Sequence, residues 1–159
     1  MAYAWLMTCR GIPQMYYGSE ILMKGISNPD GWVRLDFPGG WEGDQKNAFT
    51  ETGLTETEKD FLHYVQKLGT YRKSSSALKT GNMMQYLPED GLYVYFRYSK
   101  DQTIMCIMNT DTKERKINFE KFKECTQHFN GGIDIISGKK ITKEFQIPSM
   151  TMQVIELMK

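Results

Sequence analysis

The run Gly11-Ile12-Pro13-Gln14-Met15-Tyr16-Tyr17-Gly18-Ser19-Glu20 constrains the fold more than any other segment of this chain. Ile12, Met15, Tyr16 and Tyr17 make a short apolar and aromatic stretch, bracketed by Gly11-Ile12-Pro13 and by Gly18. It reads as a strand from about Ile12 to Tyr17, of the parallel kind that is covered on both faces. Such a strand requires neighbours to pair with, more than the rest of a chain this short supplies. Ahead of it, Ala2, Ala4, Trp5 and Leu6 read as the tail of a helix over residues 2 to 9, with Gly11-Ile12-Pro13 as the stop.

Periodicity disappears from Lys24 to about Leu54, where glycines, Pro29 and Pro38 are scattered among Trp32, Phe37, Trp41 and Phe49. Loops this long are functional or disordered, and four large aromatics argue against disorder. The segment is therefore expected to pack. A helix follows, opened by the capping box Thr55-Glu56-Thr57-Glu58, with Phe61, Tyr64, Val65, Leu68, Tyr71 and Arg72 at helical spacing on one face. Gly69 weakens its interior, and Ser74-Ser75-Ser76 ends it.

After residue 77 the pattern becomes that of short strands: 83–87, 92–98, 103–108, 115–119, 127–129, 133–136, 144–147 and 151–157. Turn chemistry separates them at Glu89-Asp90-Gly91, Lys100-Asp101-Gln102, Asn130-Gly131-Gly132 and Ser137-Gly138-Lys139. This spacing predicts an antiparallel β-sandwich with Greek-key links.

Composition excludes several functions. The 20 basic and 19 acidic residues give no electrostatic case for nucleic acid or an anionic membrane. No apolar stretch approaches the roughly 18 residues of a membrane span. Ala2 to Cys9 is too short for a secretory signal and lacks its basic start, so the compartment stays open. Cys9, Cys106 and Cys125 form no disulfide framework, no Cys-x-x-Cys exists, and His63 and His128 lie far from them in sequence. Neither a metal nor a cofactor is expected. Cys106, inside Ile104-Met105-Cys106-Ile107-Met108, reads as a small buried hydrophobe.

Gly11 to Glu20 resembles the motif at the eighth barrel strand of the alpha-amylase family, glycoside hydrolase family thirteen, whose usual form is Gly-x-Pro-x-x-Tyr-Tyr-Gly-Asp/Glu-Glu. Ser19 departs from the acidic residue of that form. The continuation Asp30-Gly31-Trp32-Val33-Arg34-Leu35-Asp36-Phe37-Pro38-Gly39-Gly40-Trp41 is similar to the neopullulanase and cyclomaltodextrinase branch. The resemblance implies a mainly β chain: residues 77–159 an antiparallel Greek-key sandwich, residues 1–76 the last strand and helix of a (β/α)8 barrel with an active-site-rim loop at 24–54. It also implies a parent enzyme acting on α-glucans (starch-like oligosaccharides, cyclodextrins or pullulan) by a retaining mechanism. Tyr17, Glu20, Trp32, Arg34, Asp36 and Trp41 are then the candidates for contact with an α-glucan oligosaccharide, since aromatic faces stack on sugar rings while charged groups bond their hydroxyls. Structural roles stand beside these: Tyr16 and Tyr17 alternating between barrel interior and helix, Glu20 orienting a neighbour, Trp41 plugging its own loop.

No catalytic residue is expected in the chain. Glycosidases need two carboxylates flanking the bond, and apart from Glu20 the available ones, Asp30, Asp36, Glu42 and Asp44, all lie on the loop. The family's nucleophile, acid/base and supporting carboxylates come from barrel strands four, five and seven, whose motifs are absent. The alternative is a non-catalytic carbohydrate-binding or structural module, with Tyr93, Tyr95 and Tyr98 as stacking surfaces; against that, Tyr93 and Tyr95 share one face of an alternating strand, which is equally a core face. Residues 1 to 22, severed from a barrel, are expected to refold onto the sandwich, exchange with a second chain in a dimer, or lack order.

Overall fold

The computed structural model describes residues 1–159. They form two compact units: residues 14–66, and residues 1–13 together with 67–159.

The 14–66 unit is built from turns. Its core is Ile21, Ala48, Leu54 and Leu62, flanked by Met23 and Phe37, so the aperiodic stretch does pack, but of its four large aromatics only Phe37 contributes; Trp32, Trp41 and Phe49 are exposed. Gly18 sits at φ 79°, and a Cβ there would run into the Met23 side chain. Short 3-10 turns occupy Ser19–Ile21 and Asp30–Val33. Asn47 ties the middle of the loop: its side-chain oxygen accepts from the amides of Phe49 (2.9 Å) and Thr50 (3.1 Å), and its own amide donates to Thr52 O at 2.8 Å.

Helix α2, Glu56–Ser74, starts with the expected capping box. The Glu58 amide donates to Thr55 Oγ1 at 3.3 Å, and the Thr55 amide donates back to Glu58 Oε2 at 2.7 Å. Lys46 Nζ adds a bond to the same carboxylate at 3.0 Å. The Thr55 amide above all, then Lys46, holds the Glu58 carboxyl below its ordinary value of 4.5. A depressed carboxylate stabilises the fold above its unfolded pKa and loses that contribution as pH falls through the folded one. Thr55→Ala is expected to lower stability by about 1 kcal/mol. Glu58→Gln should destabilise at neutral pH and converge on the parent chain in acid, as read by urea denaturation at pH 7 and at pH values below the carboxylate range.

The expected strand at Ile12 to Tyr17 is absent. These residues form no ladder, and Ile12 is 96% exposed. A strand exists only where a neighbour accepts its hydrogen bonds, and no strand of this chain runs beside it. Tyr16 and Tyr17 do not alternate between two covered faces either; both rings are exposed, with centroids 4.7 Å apart.

In the other unit, β1 (Asn82–Gln85), β2 (Leu92–Tyr98), β3 (Thr103–Asn109), β5 (Gly131–Asp134), β6 (Lys140–Thr142) and β8 (Thr151–Met158) form one antiparallel sheet in the order β1-β2-β3-β8-β5-β6. β4 (Arg115–Asn118) and β7 (Glu144–Ile147) pair separately. Val94, Phe96, Met105, Ile107, Ile155 and Leu157 from the large sheet meet Ile117 and Ile147 from the small one in the core. The jump from β3 to β8 is the Greek-key crossing the turn spacing foretold. One predicted strand, 127–129, is wrong: after the Phe119–Phe122 3-10 turn and the short Lys123–Thr126 helix, the Gln127 and Phe129 amides donate to Lys123 O (3.1 Å) and Thr126 O (2.9 Å) and continue the turn. Asn118 starts this turn by accepting the Glu120 amide at 2.8 Å, an Asx signal that competes with strand continuation. The eighth strand is instead Lys140–Thr142, a polar edge.

The second face of the large sheet is covered too. Tyr95 and Arg97 alternate with Val94 and Phe96 and are fully buried. Helix α1 (Ala2–Thr8) contacts β8, and α3 (Ser76–Lys79) contacts β2. The Tyr95 hydroxyl pairs with Thr8 Oγ1, so Tyr95 is core and no stacking surface; Tyr93 leans on it at 5.2 Å. Arg97 donates to the carbonyls of Thr8 (2.9 Å), Cys9 (2.8 Å), Leu78 (3.2 Å), Gly81 (3.2 Å) and Asn82 (3.3 Å). Arg72, from the last turn of α2, donates to Met7 O at 2.8 Å and Gly11 O at 2.6 Å. Two guanidinium groups thus satisfy the carbonyls that the end of α1 leaves without partners. Cys106 lies beneath, where burial pushes its thiol up to about 12 and leaves it inert.

Candidate functional site

The sequence-predicted residues lie on the surface of the 14–66 unit. A cavity of about 380 Å³ opens between Tyr16 and Tyr17 on one side and Gly25, Val33 and Leu35 on the other. Its shape depends on two local features. The Tyr17 hydroxyl donates to Leu35 O at 2.9 Å, tying the two chain segments together. Gly25 lies so close to the Trp32 carbonyl that a Cβ would sit 2.5 Å from it, so a residue with a side chain at 25 would push the walls apart.

Of the six predicted contact residues, Tyr17 lines this cavity; Glu20, Trp32, Arg34, Asp36 and Trp41 do not. Glu20 is half-buried in the first 3-10 turn. Arg34 is paired with Asp30 one helical turn earlier, both exposed. Asp36 lies exposed just past Leu35. Trp32 is 58% exposed and Trp41 67% exposed. Trp41 is therefore no plug. Phe37, packed against Ile21, Ala48, Leu54 and Leu62, anchors the loop instead, with the exposed Phe49 ring 5.4 Å from it, and Asp44 rigidifies the Trp41 turn by accepting from the amides of Gly39 (2.7 Å) and Trp41 (3.2 Å). The unit thus presents flat indole and phenol faces to solvent beside an ion pair and free carboxylates. That chemistry suits the apolar faces and hydroxyls of sugars.

Sequence reasoning missed a polar cluster in the other unit. Tyr71 donates to Glu156 Oε2 at 2.7 Å, Gln102 donates to Glu156 Oε1 at 2.9 Å, and Ser75 donates to Gln102 Oε1 at 2.6 Å. The network fixes the end of α2 to the β3 and β8 strands. Arg97 was also missed, though a charge inside Leu92-Tyr93-Val94-Tyr95-Phe96-Arg97-Tyr98 was the available signal.

Residues 83–156 match the family described as the cyclo-malto-dextrinase C-terminal domain. Alpha-amylase 3 of Dictyoglomus thermophilum is 30% identical over 131 residues, covering 71% of this chain and 26% of that protein. A cyclomaltodextrin glucanotransferase of Geobacillus stearothermophilus is 27% identical over 118 residues, covering 74% of this chain and 14% of that one. The chain therefore spans about a quarter or less of these curated relatives. Among solved structures, the Geobacillus thermoleovorans alpha-amylase in complex with acarbose superposes over 99% of this chain and 32% of its own, with a TM-score of 0.71 at 22% identity. The three-domain cyclomaltodextrin glucanotransferase CldA superposes over 99% and 31%, with a TM-score of 0.65 at 16% identity. Residues 83–156 are thus those of a cyclo-malto-dextrinase C-terminal domain, and the chain is similar to the C-terminal part of alpha-amylase family proteins.

Proposed function

We propose that residues 1–76 are the closing portion of an alpha-amylase-type barrel and residues 77–159 its trailing sandwich, in an enzyme that cleaves α-glucosidic bonds with retention of configuration. Cyclodextrins, pullulan and starch-like oligosaccharides are its substrate class, in the manner of neopullulanases and cyclomaltodextrinases. The observation that carries this reading is the match of residues 83–156 to the cyclo-malto-dextrinase C-terminal domain. In it, Tyr17, Trp32 and Trp41 supply stacking faces, while Glu20, Arg34 and Asp36 bond ring hydroxyls. The catalytic carboxylates lie outside these 159 residues, and the chain by itself is inactive.

Titration of the whole chain with maltoheptaose tests the binding half, with the heat of binding in isothermal calorimetry as the readout. A saturable change is expected, abolished in Trp32→Ala, Trp41→Ala double variants of unchanged thermal stability. A flat titration, or one indifferent to both substitutions, contradicts the site.

The sandwich has a second, structural role in this reading: holding the last barrel helix. The Tyr71–Glu156–Gln102 network and the Arg72 bonds to the residues after α1 favour it.

A further inference from the structure

The sandwich carries a groove of about 800 Å³ lined by β1, β2 and the turn between them together with Arg115 and Lys116 of β4 and the Phe119–Phe122 turn. No role has been assigned to it above. Its volume lies within the range of ligand sites, roughly 300–1,000 Å³. The floor is apolar and aromatic: Leu92, Val94, Phe122 and the ring of Tyr86, which stands edge-on to Phe122 at 4.9 Å. Tyr86 is held there from outside the groove, its hydroxyl donating to Glu124 at 2.8 Å. On the rim, Leu87 is 92% exposed, a side chain with no packing reason to be apolar.

The charges at the rim select among ligands. Arg115, Lys116 and Lys121 line the groove together with Glu89 and Asp90. Arg115 is balanced by Asp90 (3.6 Å) and Asp111 (3.8 Å), and Lys116 by Glu144 at 2.7 Å. What remains is Lys121 with Glu89 on the same rim. Such a groove carries no uncompensated positive cluster to hold a phosphate or nucleic acid. It offers an apolar strip bordered by donors and acceptors of both signs, which fits a neutral chain having apolar faces and hydroxyl edges.

The geometry points to a second oligosaccharide site in this groove, on the sandwich itself and apart from the aromatic loop. The naming of an α-glucan as its ligand rests on the function proposed above. Tyr86, Leu87 and Leu92 face the sugar rings, and Glu89 and Lys121 bond their hydroxyls.

The test is a titration of the isotopically labelled whole chain with maltoheptaose, followed by amide chemical shifts. Saturable shifts are expected at Tyr86, Leu87, Glu89, Leu92 and Lys121. Leu87→Asp should weaken the groove response roughly tenfold while leaving the melting temperature and any response at Tyr17, Trp32 and Trp41 unchanged. Shifts confined to residues 16–41 overturn the groove and leave the loop site standing. Shifts confined to the groove support it and remove the loop site. No shift in either place, an unaltered groove response in Leu87→Asp, or shifts there with inorganic phosphate and none with maltoheptaose each overturn the proposal.

Discussion

Arg97→Met should destabilise the sandwich unit by on the order of 4 kcal/mol, a large share of the ~5–15 kcal/mol that holds a domain together. The side chain is 1% exposed, and its acceptors are five backbone carbonyls, none of them a carboxylate. Those carbonyls come from the end of α1, from α3 and from the turn into β1. Methionine fills most of the volume but donates nothing, so each carbonyl loses a charge-assisted bond inside the protein. The individual losses do not add, because relaxation and entering water recover part of them. Lysine keeps the charge but lacks the planar fork that reaches several segments at once, so Arg97→Lys should fall between the two. Urea denaturation measures the loss. Hydrogen exchange locates it: amides of α1 should lose protection in Arg97→Met while those of β4 and β7 keep theirs at low denaturant. A denaturation midpoint unchanged in Arg97→Met would remove the guanidinium from the account of how α1 is held.

Phe96→Ala is expected to cost about 3–5 kcal/mol, through lost burial and an unfilled cavity. The ring has no exposed surface and lies between Tyr86 (6.0 Å) and Phe122 (6.1 Å), with Val94 and Met105 in the same cluster. The neighbours that would have to collapse into the space belong to different elements: β2, β3 and the Phe119–Phe122 turn. That connectivity favours the upper part of the range, since no single element can move in without disturbing another. Phe96→Leu, which retains most of the volume, should lose less than half as much. The comparison is made by thermal unfolding, and equal losses for Ala and Leu would show that the aromatic shape, not the volume, carries the site.

The two halves of the chain were not equally legible. Short β-rich runs between turn residues disclose strands because both signals are local, and β2, β3 and β8 fall where the pattern put them. The Thr55–Glu58 box was legible for the same reason: four consecutive residues contain the whole interaction. Residues 12–17 were misread because apolarity reports that a segment is fit for burial, whereas strand formation depends on a partner elsewhere. Residues 127–129 were misread because the Asn118 side chain starts a turn that runs on through the Phe119–Phe122 and Lys123–Thr126 helical turns and leaves no strand there. The partners that bury Arg97 and Tyr95 were illegible, since α1 arrives from about ninety residues away in sequence. The candidate site was read at the level of residue type. Its geometry, with Trp32, Trp41 and Phe49 outward and Phe37 packed inward, follows from long loop contacts that no periodicity encodes.

Incubation of the purified chain with maltoheptaose and with pullulan, with reducing ends counted over time, tests the central claim most directly. Binding without chemistry predicts release indistinguishable from a no-enzyme control, in samples where tryptophan fluorescence shows the oligosaccharide bound. Sustained release above that control, surviving repurification, would contradict it, because the chain would then contain the carboxylates that the account places outside it.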